Sequence, residues 1–129
     1  MSTSVDDTGQ QFINGGRRRG GSSEPYTITS PSNGDLLATD LFASPDDVDD
    51  AVAAAKAAFP GWAGATPADR STLMHKLAAE LDGVAAELAT MESRQAGKPI
   101  RLTENFDVPG TVDNVAFFAG AARNLEGKA

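Results

Sequence analysis

Cysteine is missing altogether from this sequence. That absence excludes disulfides, thiolate metal sites and a cysteine nucleophile among these residues. Histidine occurs once, as His75. With no second histidine and no carboxylate at ligand spacing, it offers no metal site and reads as a surface or boundary residue of a helix. No serine stands in a nucleophile-elbow context, so a Ser-His-Asp arrangement has no support either. Long hydrophobic runs are also lacking: the most apolar helical stretch, Ala51 to Phe59, is far too short to span a bilayer. Met1 to Gln10 is polar and carries Asp6 and Asp7, unlike a secretory signal. The expectation is a cytoplasmic protein with no membrane partner. Positive charge is scarce too, and a net charge of −7 argues against a general affinity for nucleic acid.

Three local features invite a chemical reading, and each has a plainer one. Arg17-Arg18-Arg19, flanked by glycines, lacks the interleaved aromatics of a nucleic-acid segment and reads as part of a solvated loop. Asp46, Asp47, Asp49 and Asp50 crowd together, but they open a helix, where negative charge favours the dipole and adjacent side chains point apart. Gly15-Gly16 and Gly20-Gly21 lack both the G-x-G-x-x-G spacing and a following helix, so no dinucleotide fingerprint is present. No catalytic constellation is visible.

The organisation is that of an α/β chain, strands first and helices after. Residues 1–9 carry no aromatic or periodic apolar pattern and read as a disordered tail; residues 10–129 form the folded part. Gln11-Phe12-Ile13 predicts a strand stopped by the turn Asn14-Gly15-Gly16. Arg17 to Ser23 predicts a flexible loop. Tyr26 to Thr29 is a second strand, Pro31 to Gly34 a turn, and Asp35 to Phe42 a third strand, giving a short β-meander.

Three amphipathic helices are expected next. Ser44 caps the first and Pro45 suits its first position, with Val48, Ala51, Val52, Ala55 and Phe59 on one face and Pro60-Gly61 as its stop. Thr66-Pro67-Ala68-Asp69 opens a longer helix with an apolar stripe of Leu73, Leu77, Leu81, Val84, Leu88 and Met91, ended by Gly97 and Pro99. Gly83 within it implies close packing against a neighbour. A third helix runs from near Asp107 to Glu126, facing Val108, Val112, Val115, Phe118, Ala119, Ala122 and Leu125 inward, with Gly127 as its cap. Pro109 fits only if that helix begins within a residue or two of Asp107; otherwise it kinks the helix. These layers need a partner layer that the chain does not supply, which makes it a piece of something larger.

Several motifs in order resemble the aldehyde dehydrogenase family. Phe12-Ile13-Asn14-Gly15, then Tyr26 to Pro31 and Asn33-Gly34-Asp35, is similar to the family's F-I-N-G strand and the strand leading into N-P-x-T-G-E. Ser30 departs from the usual asparagine, and Asn33-Gly34-Asp35 from T-G-E. Asp49 to Ala55, Ala58-Phe59-Pro60 and Trp62 resemble D-x-A-V-x-A-A-x-x-A-F-x-x-W, and Thr66 to Arg70 with Leu77-Ala78 resembles T-P-x-x-R…L-A. Glu92 to Pro99 and Phe117 to Arg123 resemble E-x-x-x-x-G-K-P and the aromatic pair before A-G. Their wording is similar to γ-aminobutyraldehyde dehydrogenases of polyamine breakdown.

The resemblance implies a partial N-terminal piece of that family's cofactor-binding domain. It implies an NAD- or NADP-dependent enzyme that oxidises an aldehyde, 4-aminobutanal among the candidates, to the acid, and a homo-oligomer, dimer or tetramer. In the family a cysteine thiolate attacks the aldehyde and a glutamate-activated water completes the reaction. Those groups have no counterparts here, so this chain alone is expected to be inactive. Some members hold a structural K+ or Na+ with an acidic residue ten positions before the aromatic pair and a strand carbonyl. These positions match Asp107 and Ile28, and oxygen ligands suit such ions. The plainer role for Asp107 is a helix N-cap. The alternative for the whole chain is a non-catalytic helical module that binds a partner protein.

Overall fold

The computed structural model describes residues 10–124. The expectations for residues 1–9 and for Leu125, Glu126 and Gly127 fall outside that range. The chain divides into two compact units, residues 1–61 and 62–129.

The first unit opens with strands β1 (Gln11–Ile13) and β2 (Gly16–Arg18), an antiparallel hairpin. Asn14 and Gly15 between them both take positive φ, 51° and 79°. This is the mirror-image turn whose twist matches that of paired strands. Strands β3 (Pro25–Thr29) and β4 (Leu36–Leu41) form a second hairpin, closed by bonds from Ser30 N to Asp35 O and from Gly34 N to Ser30 O, both 2.8 Å. The expected three-stranded meander is therefore two separate two-stranded sheets. The expected loop over Arg17 to Ser23 begins instead as a strand, because the tight turn returns the chain at once alongside β1.

Helix α1 (Pro45–Gly64) starts as expected. Ser44 Oγ accepts from Asp47 N at 3.2 Å, and the Asp47 carboxylate accepts from Ser44 N at 2.8 Å, so the two cap each other. It does not stop at Pro60-Gly61. Proline withholds its own N–H and crowds the preceding turn, but the residues after it can still donate, and the helix runs on to Gly64. Its predicted inward face is largely exposed: Val48, Val52 and Phe59 each keep more than half their surface.

In the second unit the predicted long helix is two. Helix α2 (Pro67–Gly83) ends where Val84 adopts φ −117°, ψ 17°, and helix α3 (Ala85–Ala96) starts afresh. Gly83 marks that break; a side chain there would meet nothing within 4 Å, so close packing is not its reason. Periodicity could not expose the break, since apolar residues continue in phase across it. Thr66 caps α2 as expected, its hydroxyl accepting from Asp69 N at 3.1 Å, and Gly97 ends α3 in the left-handed region at φ 71°.

The third expected helix begins earlier. A short α4 (Ile100–Leu102) passes into a π-turn (Thr103–Asp107) and then α5 (Val108–Ala121). Val108 N bonds back to Thr103 O, five residues away. The wider turn lies just before Pro109 and relieves it of the carbonyl clash that a proline causes inside a regular helix. Helices α2 and α5 pack together, as do α3 and the π-turn. Among the described residues of this unit, the buried ones are Ser71, Ala78, Ala89, Thr103, Val108 and Ala119. Leu73, Leu77 and Phe118, expected inside, stay more than half exposed. No helix among the described residues is long and apolar enough to cross a membrane.

Candidate functional site

Polar chemistry gathers at one place in each unit. In the first unit it is a clamp built on the arginine run. Arg18 reaches Asp47 at 2.9 Å and Asp50 at 3.0 Å, and Arg19 reaches Asp40 at 3.0 Å. Asp47 also accepts from Gly21 N at 2.7 Å and from the Ser44 hydroxyl at 2.9 Å. Donors from the Ser44 and Gly21 amides, with Arg18 nearby, hold its pKa down at about 2 despite burial. The Leu41 amide and the Arg19 guanidinium likewise depress Asp40. The solvated-loop reading of Arg17 to Arg19 is thus corrected for Arg18 and Arg19: these side chains are tied to acidic partners on β4 and α1. The signal was present as a basic run beside an acidic helix start, but its pairing needed the hairpin.

This clamp does not suit a dinucleotide phosphate. A side chain at Gly20 would run into the Leu41 and Phe42 carbonyls, and one at Gly21 would stand 2.9 Å from Ser44 Oγ and 3.0 Å from Asp47 Oδ2. The glycines are there for close backbone approach. The Gly21 amide is already spent on a carboxylate, which would also repel phosphate.

In the second unit the polar centre is Lys98. Its ammonium lies 2.9 Å from Asp107 Oδ2 and 3.1 Å from Glu92 Oε1. The chain reaches this position by reversing at Gly97, with Ser93 Oγ donating to Lys98 O at 2.7 Å. Asp107 first, and Glu92 second, raise the Lys98 pKa above its ordinary value by favouring the charged form. Beside this corner lies an open groove of about 530 Å³, with Leu81, Leu88, Met91, Val108 and Val112 as its apolar part.

The predicted site residues are found as follows. Asp107 ends the π-turn with helical φ and ψ and makes no side-chain cap bond, so the N-cap role is corrected. The helix had already begun at Ile100, and the carboxylate was free to turn to Lys98. That carboxylate now faces the Lys98 ammonium at 2.9 Å. Ile28 lies half-buried on β3, opposite Ala38, in the other unit. His75 is exposed on α2. Among the described residues no group of three or more acidic or histidine side chains could hold a metal ion. Lys98 and Glu92 went unnoticed as partners of Asp107, although a helix ending in glycine and followed by lysine is a local sign that the lysine turns back.

What these elements define is a helix-rich α/β piece whose polar side chains are joined in ion pairs. The chain belongs to the aldehyde dehydrogenase family, whose model matches residues 18–129. An aminoacetaldehyde dehydrogenase of Pseudomonas aeruginosa is 36% identical over 121 residues, covering 92% of this chain and 24% of that relative. Among solved structures, PnpE in complex with nicotinamide adenine dinucleotide is 38% identical, with a TM-score of 0.86 over 92% of this chain and 24% of that one. A γ-glutamyl-γ-aminobutyraldehyde dehydrogenase of Burkholderia cenocepacia is 35% identical, with a TM-score of 0.88 over 95% of this chain and 25% of that one. The chain thus spans about a quarter of the length of the relatives it matches, and its fold is that of the family's N-terminal piece.

Proposed function

We propose that this chain contributes the N-terminal part of an NAD-dependent aldehyde dehydrogenase that oxidises an aldehyde to the carboxylic acid. The observation that supports this is the continuous family match over residues 18–129. The chemistry would lie in residues other than these: the sequence has no cysteine to act as the family's nucleophile, and the chain by itself is expected to form no NADH. Its contribution is packing. Exposed Leu73, Leu77, Phe117 and Phe118 suit burial against further protein. An aldehyde bearing a nitrogen function, such as 4-aminobutanal, is the substrate class that the motif wording and two of the relatives favour. A role in polyamine breakdown, a cytoplasmic location and a dimeric or tetrameric enzyme belong to the same reading, with NADP as the alternative cofactor in the resemblance. The resemblance also places K+ or Na+ at Asp107 and at the Ile28 carbonyl. That ion rests on the resemblance alone and would have to share Asp107 with Lys98.

A chimera tests the proposal. Residues 18–129 would replace the matching segment of the Pseudomonas aeruginosa enzyme, with aminoacetaldehyde and NAD as substrates. A soluble chimera that forms NADH is the expected result. A soluble, folded chimera with no turnover would count against the assignment, as would NADH formation by the 129-residue chain alone.

A further inference from the structure

We infer that Lys98 is the resident counter-cation of Asp107 and Glu92, so that Asp107 needs no metal ion to be held in place. The family resemblance places a monovalent cation at Asp107, whereas the geometry gives that carboxylate to an ammonium of the same chain, at 2.9 Å. A second contact, 3.1 Å to Glu92, makes the ammonium a bridge between α3 and the end of the π-turn. Two features of the backbone fix where the lysine starts. Gly97 turns the chain at φ 71°, and the Ser93 hydroxyl bonds to the Lys98 carbonyl at 2.7 Å. A tethered cation has a high effective concentration at its partner, which a free ion must match from solution. Its N–H groups also add directed hydrogen bonds that an alkali ion cannot supply. One ammonium against two carboxylates leaves a negative charge over. The three side chains are 38–44% exposed, so water and salt screen that remainder without a bound ion. The three side chains of the bridge also line the groove, together with Leu88, Met91 and Val108. This inference stands apart from the proposed activity, since it concerns only what holds these residues together.

The test is amide hydrogen exchange over residues 92–108 of the 129-residue chain, in potassium, sodium and choline chloride at equal ionic strength. Wild type should show the same protection in all three salts. Lys98→Gln should speed exchange there several-fold, Lys98→Arg should restore most of the protection, and Asp107→Asn should act no further once Lys98 is gone. Slowing by potassium or sodium in wild type that Asp107→Asn abolishes would overturn the inference. So would a Lys98→Gln variant that exchanges like wild type, or a wild-type segment with no protection to lose.

Discussion

Replacing Thr103 with valine isolates the hydrogen bond that ties the π-turn to α3. Thr103 is fully buried, and its hydroxyl lies 2.9 Å from Ala89 O and 2.8 Å from Ile100 O. One proton shared between two acceptors counts as roughly a single neutral bond, worth about 0.5–1.5 kcal/mol net. Valine keeps the volume and the β-branch but sets a methyl against two carbonyl oxygens. Leaving buried acceptors unsatisfied costs about 1–3 kcal/mol. The Ile100 carbonyl retains the Thr103 amide, so the lower part of that range applies, about 1–2 kcal/mol. Local opening should then become about 5–30 times more frequent. Amide exchange across α3 and the π-turn reads this directly, because opening there sets the exchange rate. Thr103→Ser is the control: it gives up one buried methyl, about 0.8 kcal/mol, and keeps both acceptors satisfied. Valine must therefore do more damage than serine. Valine exchanging as slowly as wild type, or serine exchanging faster than valine, would refute the reasoning.

Three further outcomes are expected. Gly20→Ala should destabilise the first unit by about 1–3 kcal/mol, because the new methyl meets the backbone of Leu41 and Phe42 rather than a movable side chain; a denaturation midpoint equal to that of wild type would contradict this. Asp47 has a depressed folded pKa, so its contribution is present above the unfolded carboxylate value of about 4 and lost as pH falls toward about 2. Protection of the Gly21 and Ser44 amides should fall through that window, and Asp47→Asn should remove most of the pH dependence. Pro60→Ala should strengthen α1 by up to about 3 kcal/mol, since proline lies inside that helix, and circular dichroism should show a gain in helix on heating curves.

Features governed by neighbours in sequence were legible in advance. Asn14-Gly15 announced the first turn, though not the strand after it, Ser44 and Thr66 the helix starts, and Gly97 the left-handed end of α3. Each depends on one or two residues and on bonds that close within a turn. The break at Gly83-Val84 and the π-turn before Pro109 were not legible. Apolar spacing continues through the first, and a proline permits either a late helix start or a widened turn. The exposed faces of α1 and α2 teach the same lesson: periodicity identifies an apolar stripe without saying what covers it.

The site divides along the same line. Asp107 was singled out by its place before Phe117-Phe118, but its partner was decided by a chain reversal that brings Lys98 and Glu92 to it. Arg18 and Arg19 looked like solvated charge until the hairpin and α1 set carboxylates beside them. Sequence by itself determined the family, the strand-then-helix order and the caps at Ser44, Thr66 and Gly97, because local sterics and residue identity suffice for these. Tertiary structure alone decided which charges pair and which glycines are pressed against backbone, because those depend on groups far apart in the chain that only folding brings within 3 Å or so of each other.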